Sequence, residues 1–397
     1  MINVLDPQEM WDAIKAGNQI YVRMDFTAQN IVVDETDIDS SGGITITDSM
    51  DSGSGKDSMS KICCKQLTAS IFINDKTRSI RWKDRFRLDF GIKLINSDFT
   101  RWTTIGYFNG NTPTKTRNST IVQFVAYDDM FRFDVDAKPF INYIKQMDYI
   151  TLNDFTFSLC RFAGIDNVTI NNAIRDYDVW MIERTFDPEK LDKFTTLREI
   201  LEKIAEATCT NARMRGNYLC VEWYGNSQGN KMLTIDLTDE FDLEYVEPYD
   251  PLKWSDVSNH KWDRYKYTTW GNVTSENNGM IDCVRLIGDD WESEENSYAF
   301  YTEKNGLEFC SSIYTIEENP FLQGVTPDIA RIFYERIVSI GNRLPLSLEC
   351  VGDFNLEAND LVTIAIDGNT TKTIPICYKQ FSFNGDCRDV IEVTETK

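Results

Sequence analysis

The clearest polar and apolar pattern in the chain runs from Trp82 to Asp136. Phe86, Leu88, Phe90, Ile92 and Leu94 occupy every second position, and Arg85, Arg87, Asp89 and Lys93 fill most of the gaps. A period of two turns one face of a strand to an apolar core and the other to water. The next segment, Gly106 to Arg117, reads as a polar, turn-rich loop broken by Gly110 and Pro113. A second strand, Ile121 to Tyr127, halts at Asp128-Asp129. Strand, polar loop and return strand predict the centre of an antiparallel barrel or sandwich.

Several strands precede this stretch. Ile20 to Phe26, Ile31 to Val33, Ile44 to Ile46 and Leu67 to Ile73 carry the β pattern. A helix is predicted over 5–17, with Asp6 as cap, Pro7 in the first position, Glu9 in a capping-box position and Gly17 as the stop. Residues 34–60 are rich in Ser, Gly and Asp, and DSMDSGSGKDSM within them reads as a mobile loop. Residues 1–136 therefore form one expected β domain with an N-terminal helix.

Beyond Asp136 the period changes. Pro139 to Met147 and Leu152 to Ala163 read as helices, the second with Thr151 as cap and Gly164 as stop. Thr196 to Ala207 is the strongest amphipathic helix. Leu197, Ile200, Leu201, Ile204 and Ala205 share one face, and Thr196 with Glu199 makes a capping box. Asn211 to Tyr224 reads as a hairpin turning at Gly216-Asn217. Residues 137–230 are thus a small, mostly helical domain. Strands resume at Leu233 to Leu237, Tyr245-Val246, Lys261 to Trp270, Asp282 to Gly288 and Tyr298 to Thr302. A helix follows over 326–341, then strands at Leu361 to Ile366, Ile374 to Phe383 and Val390 to Thr394. Residues 231–397 form a second β domain. The expected class is α+β, mainly β: two antiparallel barrel-like domains with a helical domain between them.

Composition narrows the function. Sixty-three Asp and Glu against 41 Lys and Arg give a formal charge of −22 in 397 residues. Such a chain repels free nucleic acid. The opening residues predict no secretory signal, and no run of apolar residues is long enough to predict a membrane span. Ten cysteines without a CxxC pair, and with Cys63-Cys64 vicinal, read as reduced, mostly buried thiols.

The catalytic patterns in the sequence are incomplete. Gly53-Ser-Gly-Lys56 lacks the first Gly and the closing Ser or Thr of a phosphate loop. Asp34, Glu35, Asp37 and Asp39 approach a calcium loop but lack its closing Glu, so no metal is expected. The pairs Asp128/Asp129, Asp289/Asp290 and Glu317/Glu318 read as solvated surface carboxylates. His260 is the sole histidine and makes no triad. Trp254, Trp262, Tyr265, Tyr267 and Trp270 form an aromatic stretch that suits a glycan, a subunit contact or strand core. The chain reads as no enzyme and needs no cofactor.

Three places carry a resemblance. They are Ile44-Thr-Ile46 with its polar loop and the strand Leu67 to Ile73; Trp102 to Phe108 with Ile121 to Asp134; and Glu318-Asn-Pro-Phe321, the helix to Gly341, Gly352-Asp353 and Leu356 to Thr363. In order and spacing the chain resembles the tail-hub (baseplate-hub) proteins of long-tailed bacteriophages and related contractile particles, especially those of Gram-positive hosts. It carries Asn359-Asp360 where that family has a Gly-Asp turn. The resemblance implies a structural virion protein of the tail tip, assembled in the bacterial cytoplasm. It implies a homotrimeric ring whose paired β domains match a hexameric tail tube. Implied partners are distal-tail or tube proteins, the tape-measure protein and a tip fibre or spike, with DNA passing through the channel unbound. The alternatives are a tail-tip protein that binds or cleaves carbohydrate, and a distal-tail or tube protein forming hexamers.

Overall fold

The computed structural model describes residues 13–14, 16, 18–50, 62–94, 99–115, 119–147, 150–170, 188–223, 232–236, 244–245, 281–289, 296–322, 325–341, 343–365 and 371–396. Seven strands come first: β1 (Gln19–Phe26), β2 (Ile31–Asp34), β3 (Ile44–Ser49), β4 (Gln66–Phe72), β5 (Arg85–Lys93), β6 (Thr100–Gly110) and β7 (Ile121–Asp128). They pair antiparallel in the order β3-β4-β7-β6-β5-β1-β2. The alternation in β5 places Phe86, Leu88, Phe90 and Ile92 in the core, each almost fully buried. The helix expected over 5–17 lies mostly outside the described residues; Ala13 and Ile14 are helical.

The loop expected from Gly106 onward is corrected. Gly106 to Gly110 belongs to β6, which pairs with the whole of β5 and makes β5 and β7 its two flanks rather than each other's neighbours. At the end of the strand Gly110 sits where backbones crowd. A Cβ on Gly110 would lie 1.7 Å from the Trp82 carbonyl oxygen.

The middle of the chain contributes α1 (Lys138–Ile144), α2 (Leu152–Phe162), β8 (Val168–Ile170), α3 (Leu197–Thr208), β9 (Asn211–Arg215) and β10 (Tyr218–Glu222). Local signals fix the ends of these helices. Thr151 accepts from the Asp154 amide, and Gly164 takes a left-handed φ of 73°. At α3 the Glu199 amide donates to Thr196 Oγ1 at 3.3 Å, and the Glu199 carboxylate receives the Thr196 and Thr195 amides. Thr196→Ala is expected to cost about 1 kcal/mol, read by urea unfolding. A change under a few tenths would show that packing alone holds the helix end.

The remaining elements are β11 (Met232–Asp236), β12 (Glu244–Tyr245), β13 (Cys283–Asp289), β14 (Asn296–Thr302), β15 (Ile313–Asn319), α4 (Pro327–Gly341), β16 (Arg343–Val351), β17 (Leu361–Ala365), β18 (Thr371–Phe383) and β19 (Cys387–Thr396). Strands β14-β13-β15 form a small mixed sheet against α4, where Tyr301 meets Tyr334 at 5.2 Å. The strands β8 and β15 carry no marked alternation, and β16 alternates through Leu344, Leu346, Leu348 and Cys350 but holds Pro345, which argues against a strand.

The last strands continue the first sheet. β18 pairs antiparallel with β3, from Tyr378 opposite Ser49 to Phe383 opposite Ile44. One sheet therefore runs β12-β16-β19-β18-β3-β4-β7-β6-β5-β1-β2, with β17 and β11 branching from β18. Its path does not close on itself among the described residues. The protein is α+β and mainly β, with large antiparallel sheets. The core under the first strands also takes side chains from the far end of the chain. Phe90 stacks on Phe354 at 5.2 Å and meets Phe381 and Phe383 edge-on at 5.1 and 5.6 Å.

Candidate functional site

Beside the β3–β18 junction, three parts of the chain place charged side chains in one buried cluster. β3 supplies Asp48, and Lys65 stands just before β4. The β9–β10 hairpin supplies Arg213, Arg215 and Glu222, and the turn between β16 and β17 supplies Glu357 and Asp360. Three cations thus meet four carboxylates. Arg213 is 1% exposed, and its Nη2 lies 2.6 Å from Asp48 Oδ2. Its other terminal nitrogen donates to the Ala358 carbonyl. Asp48 Oδ2 also accepts the Ala358 amide at 3.0 Å and stands 3.8 Å from the Lys65 ammonium. Lys65 is ion-paired to Glu357.

Arg215 closes the second half of the cluster. It reaches Asp360 Oδ1 at 2.9 Å, Glu222 Oε1 at 3.2 Å and Glu357 Oε2 at 3.5 Å. Asn359 donates to Glu222 and to the Trp223 carbonyl at 3.0 and 3.1 Å, from a left-handed backbone with φ 70°. Asn tolerates that conformation better than most residues, which suits the turn expected at Asn359-Asp360.

Each cation here faces carboxylates at contact distance, so the arrangement is built to fix position rather than to move protons. A cleft beside Lys65 and Asp48, walled by Ile46, Phe354 and Phe381, offers about 20 Å³. That volume holds about one water and no sugar ring.

Outside this cluster, the buried carboxylate of Asp128 at the end of β7 ties the strand to what precedes β4. It accepts the Lys65 amide at 3.0 Å, the Met130 amide at 3.1 Å and the Cys64 thiol at 3.1 Å. Asp129 is equally buried and paired with Arg85. The reading of Asp128/Asp129 as a solvated pair is therefore corrected, since both sit in the core and bind named partners. Glu317 and Glu318 are exposed, as expected.

Burial pushes the Asp128 carboxyl up to about 6 from its ordinary 3.8. Its protonated form thus favours the folded chain. That contribution is complete below about pH 4 and is lost as pH rises through about 6, by about 2–3 kcal/mol in all. Asp128→Asn removes this titration. Its stability relative to the parent should improve by that amount between pH 4 and pH 7 in urea unfolding. An unchanged difference across the range would mean that Asp128 is ionised throughout.

The near-calcium loop also resolves into ordinary contacts. The Lys76 ammonium lies 3.1 Å from Asp34 and is paired with Asp37, while Asp34 and Asp37 form a capping box and Asp39 accepts from Ser41. A side-chain cation occupies the place between the carboxylates. Among the described residues, no group of three or more His, Cys, Asp or Glu is placed to hold a metal. No helix among them is long and apolar enough to cross a membrane.

The aromatic candidates Trp254, Trp262, Tyr265, Tyr267 and Trp270, with His260 and the 53–56 loop, lie outside the described residues. The buried cluster is not apparent from the sequence. The available signal was Arg213 and Arg215 on one face of a strand whose neighbours Ala212 and Met214 are apolar. Apart from Glu222, their partners are more than a hundred positions away, which no local pattern reveals.

No protein-family model matches this sequence. No curated protein sequence matches it either. Solved structures do. A tail protein from Neisseria meningitidis MC58 superposes with a TM-score of 0.55 at 10% identity, over 95% of this chain and 96% of that one. The 43 kDa tail protein of prophage MuSo2 from Shewanella oneidensis gives 0.54 at 13% identity, over 95% and 98%. The chain has the fold of these tail proteins. The likeness spans nearly the whole of each molecule, so it covers the N-terminal sheet, the helical middle and the C-terminal strands together.

Proposed function

We propose that this chain is a structural, non-enzymatic protein of a bacteriophage tail, and that it is the hub of the tail tip or baseplate. The observation that carries the reading is the end-to-end likeness of fold to two tail proteins. The buried ion pairs support it, because they hold three parts of the chain in one fixed arrangement. In this reading three copies form a ring that closes or adapts a hexameric tube, and the chain divides at about residues 136 and 230. Other tail proteins are its partners, and the virion tail is its place. The charge of −22 suits a conduit for DNA, since a wall that neutralises no phosphates adds no affinity to a sliding duplex.

The test is the solution mass of the purified chain by light scattering behind a sizing column, with negative-stain images of the peak. A trimer whose end view shows a central hole is the expected result. A hexameric ring would replace the hub with a distal-tail or tube protein. A compact monomer that binds glycans or releases reducing sugar would overturn the structural reading.

A further inference from the structure

The small sheet β14-β13-β15 brings two thiols together. Cys283 opens β13, is fully buried and stands opposite Thr302 of β14 in the ladder. Cys310 lies in the connection between β14 and β15 and is only partly buried. Its Sγ is 3.3 Å from Thr302 Oγ1, the side chain on the residue paired with Cys283. It is also 4.0 Å from the carbonyl of Asp282, the residue preceding Cys283. Thr302 Oγ1 donates to that same carbonyl at 2.7 Å, so one threonine side chain faces Cys283 across the ladder and touches the Cys310 thiol.

The placement is held from outside. The Asp282 carboxylate receives the Lys304 ammonium at 2.7 Å, the Ser311 amide and hydroxyl at 2.6 and 2.7 Å, and the Ser312 amide at 3.2 Å. These four donors clamp both sides of Cys310 to the start of β13. Cys63-Cys64 has no such arrangement, since the Cys64 thiol is turned to Asp128.

We propose that Cys283 and Cys310 are a redox-modification site that closes to an intrachain disulfide on meeting a low-molecular-weight disulfide. The more accessible Cys310 begins the exchange. Its thiolate attacks one sulfur of oxidised glutathione, forms a mixed disulfide and expels one glutathione thiolate. Cys283 then loses its proton to solvent and attacks the Cys310 sulfur, expelling the second. The protein dithiol is oxidised, one glutathione disulfide is reduced to two thiols, and no other reactant is needed. Burial and the Cys310 thiol push the Cys283 thiol up to about 11, which assigns it the second, intramolecular step. The bond staples β13 to the β14–β15 connection whatever the assembly state of the chain.

The full chain is incubated with oxidised glutathione, quenched with a thiol-alkylating reagent, and analysed by intact mass and peptide mapping. The expected product has lost two hydrogens and two alkylatable thiols, and yields one cross-linked peptide pair containing Cys283 and Cys310. It should melt about 5 °C higher than the reduced chain. Cys310→Ser, at the more exposed position, should abolish the cross-link while keeping the reduced chain's melting temperature. Full alkylation of both cysteines, a lasting glutathione adduct on Cys310, or a cross-link that joins other cysteines instead would overturn the assignment.

Discussion

Asp48→Ala is expected to destabilise the chain by about 3–5 kcal/mol, because it leaves a buried guanidinium without its main counter-charge. Arg213 is 1% exposed and cannot turn to water. Its Nε has no hydrogen-bond partner, so Asp48 and the Ala358 carbonyl carry most of its stabilisation. The loss spreads further, because the Ala358 amide and Lys65 also face Asp48. Asp48→Asn keeps an acceptor for the amide while removing the charge, so it should fall between the parent and the alanine variant. The double change Asp48→Leu with Arg213→Met should recover part of the loss, since apolar replacements avoid the desolvation of both ions. Urea unfolding of the four proteins checks the set. A loss under about 1 kcal/mol for Asp48→Ala would mean that water reaches Arg213.

Phe90→Ala should cost a similar amount, about 3–5 kcal/mol, through a cavity at the centre of an aromatic cluster. Its ring is fully buried and touches Phe354, Phe381 and Phe383. Those three belong to the C-terminal segment, so the damage has a direction. The C-terminal strands should become the first site of limited proteolysis, ahead of β5 itself. Phe90→Leu refills much of the volume and should cost less than half as much. Equal proteolysis patterns for parent and Phe90→Ala would show that the ring does not hold the two ends of the chain together.

What the sequence reveals here is what neighbours in sequence decide. The β5 alternation needs only its own residues. The capping box of Thr196 with Glu199, the cap at Thr151 and the stop at Gly164 each act across one helical turn. These elements are found where the pattern places them. β6 escapes because Thr103, Thr104, Gly106 and Gly110 interrupt its alternation, while its neighbours β5 and β7 supply the partners that make it a strand. The charged cluster escapes for a stronger reason. Asp48, Arg213 and Glu357 look like ordinary surface residues until the three segments are brought together. Their burial is a property of the assembled fold, and composition assigns such residues to water by default.

The junction of β3 with β18 sets the order of events during synthesis. Ser49 and Tyr378, cross-strand partners, are 329 positions apart in the chain. At about 5–20 residues per second, β3 waits roughly 15–65 s for the strand that covers its edge. Until then one flank of the sheet offers unpaired amides and carbonyls, and Phe90 lacks the three rings that cover it. The sheet is finished only when β18 has been made and has paired with β3. A chain cut before β18 therefore keeps a sticky edge and an open core, so a strand made late shields one made early.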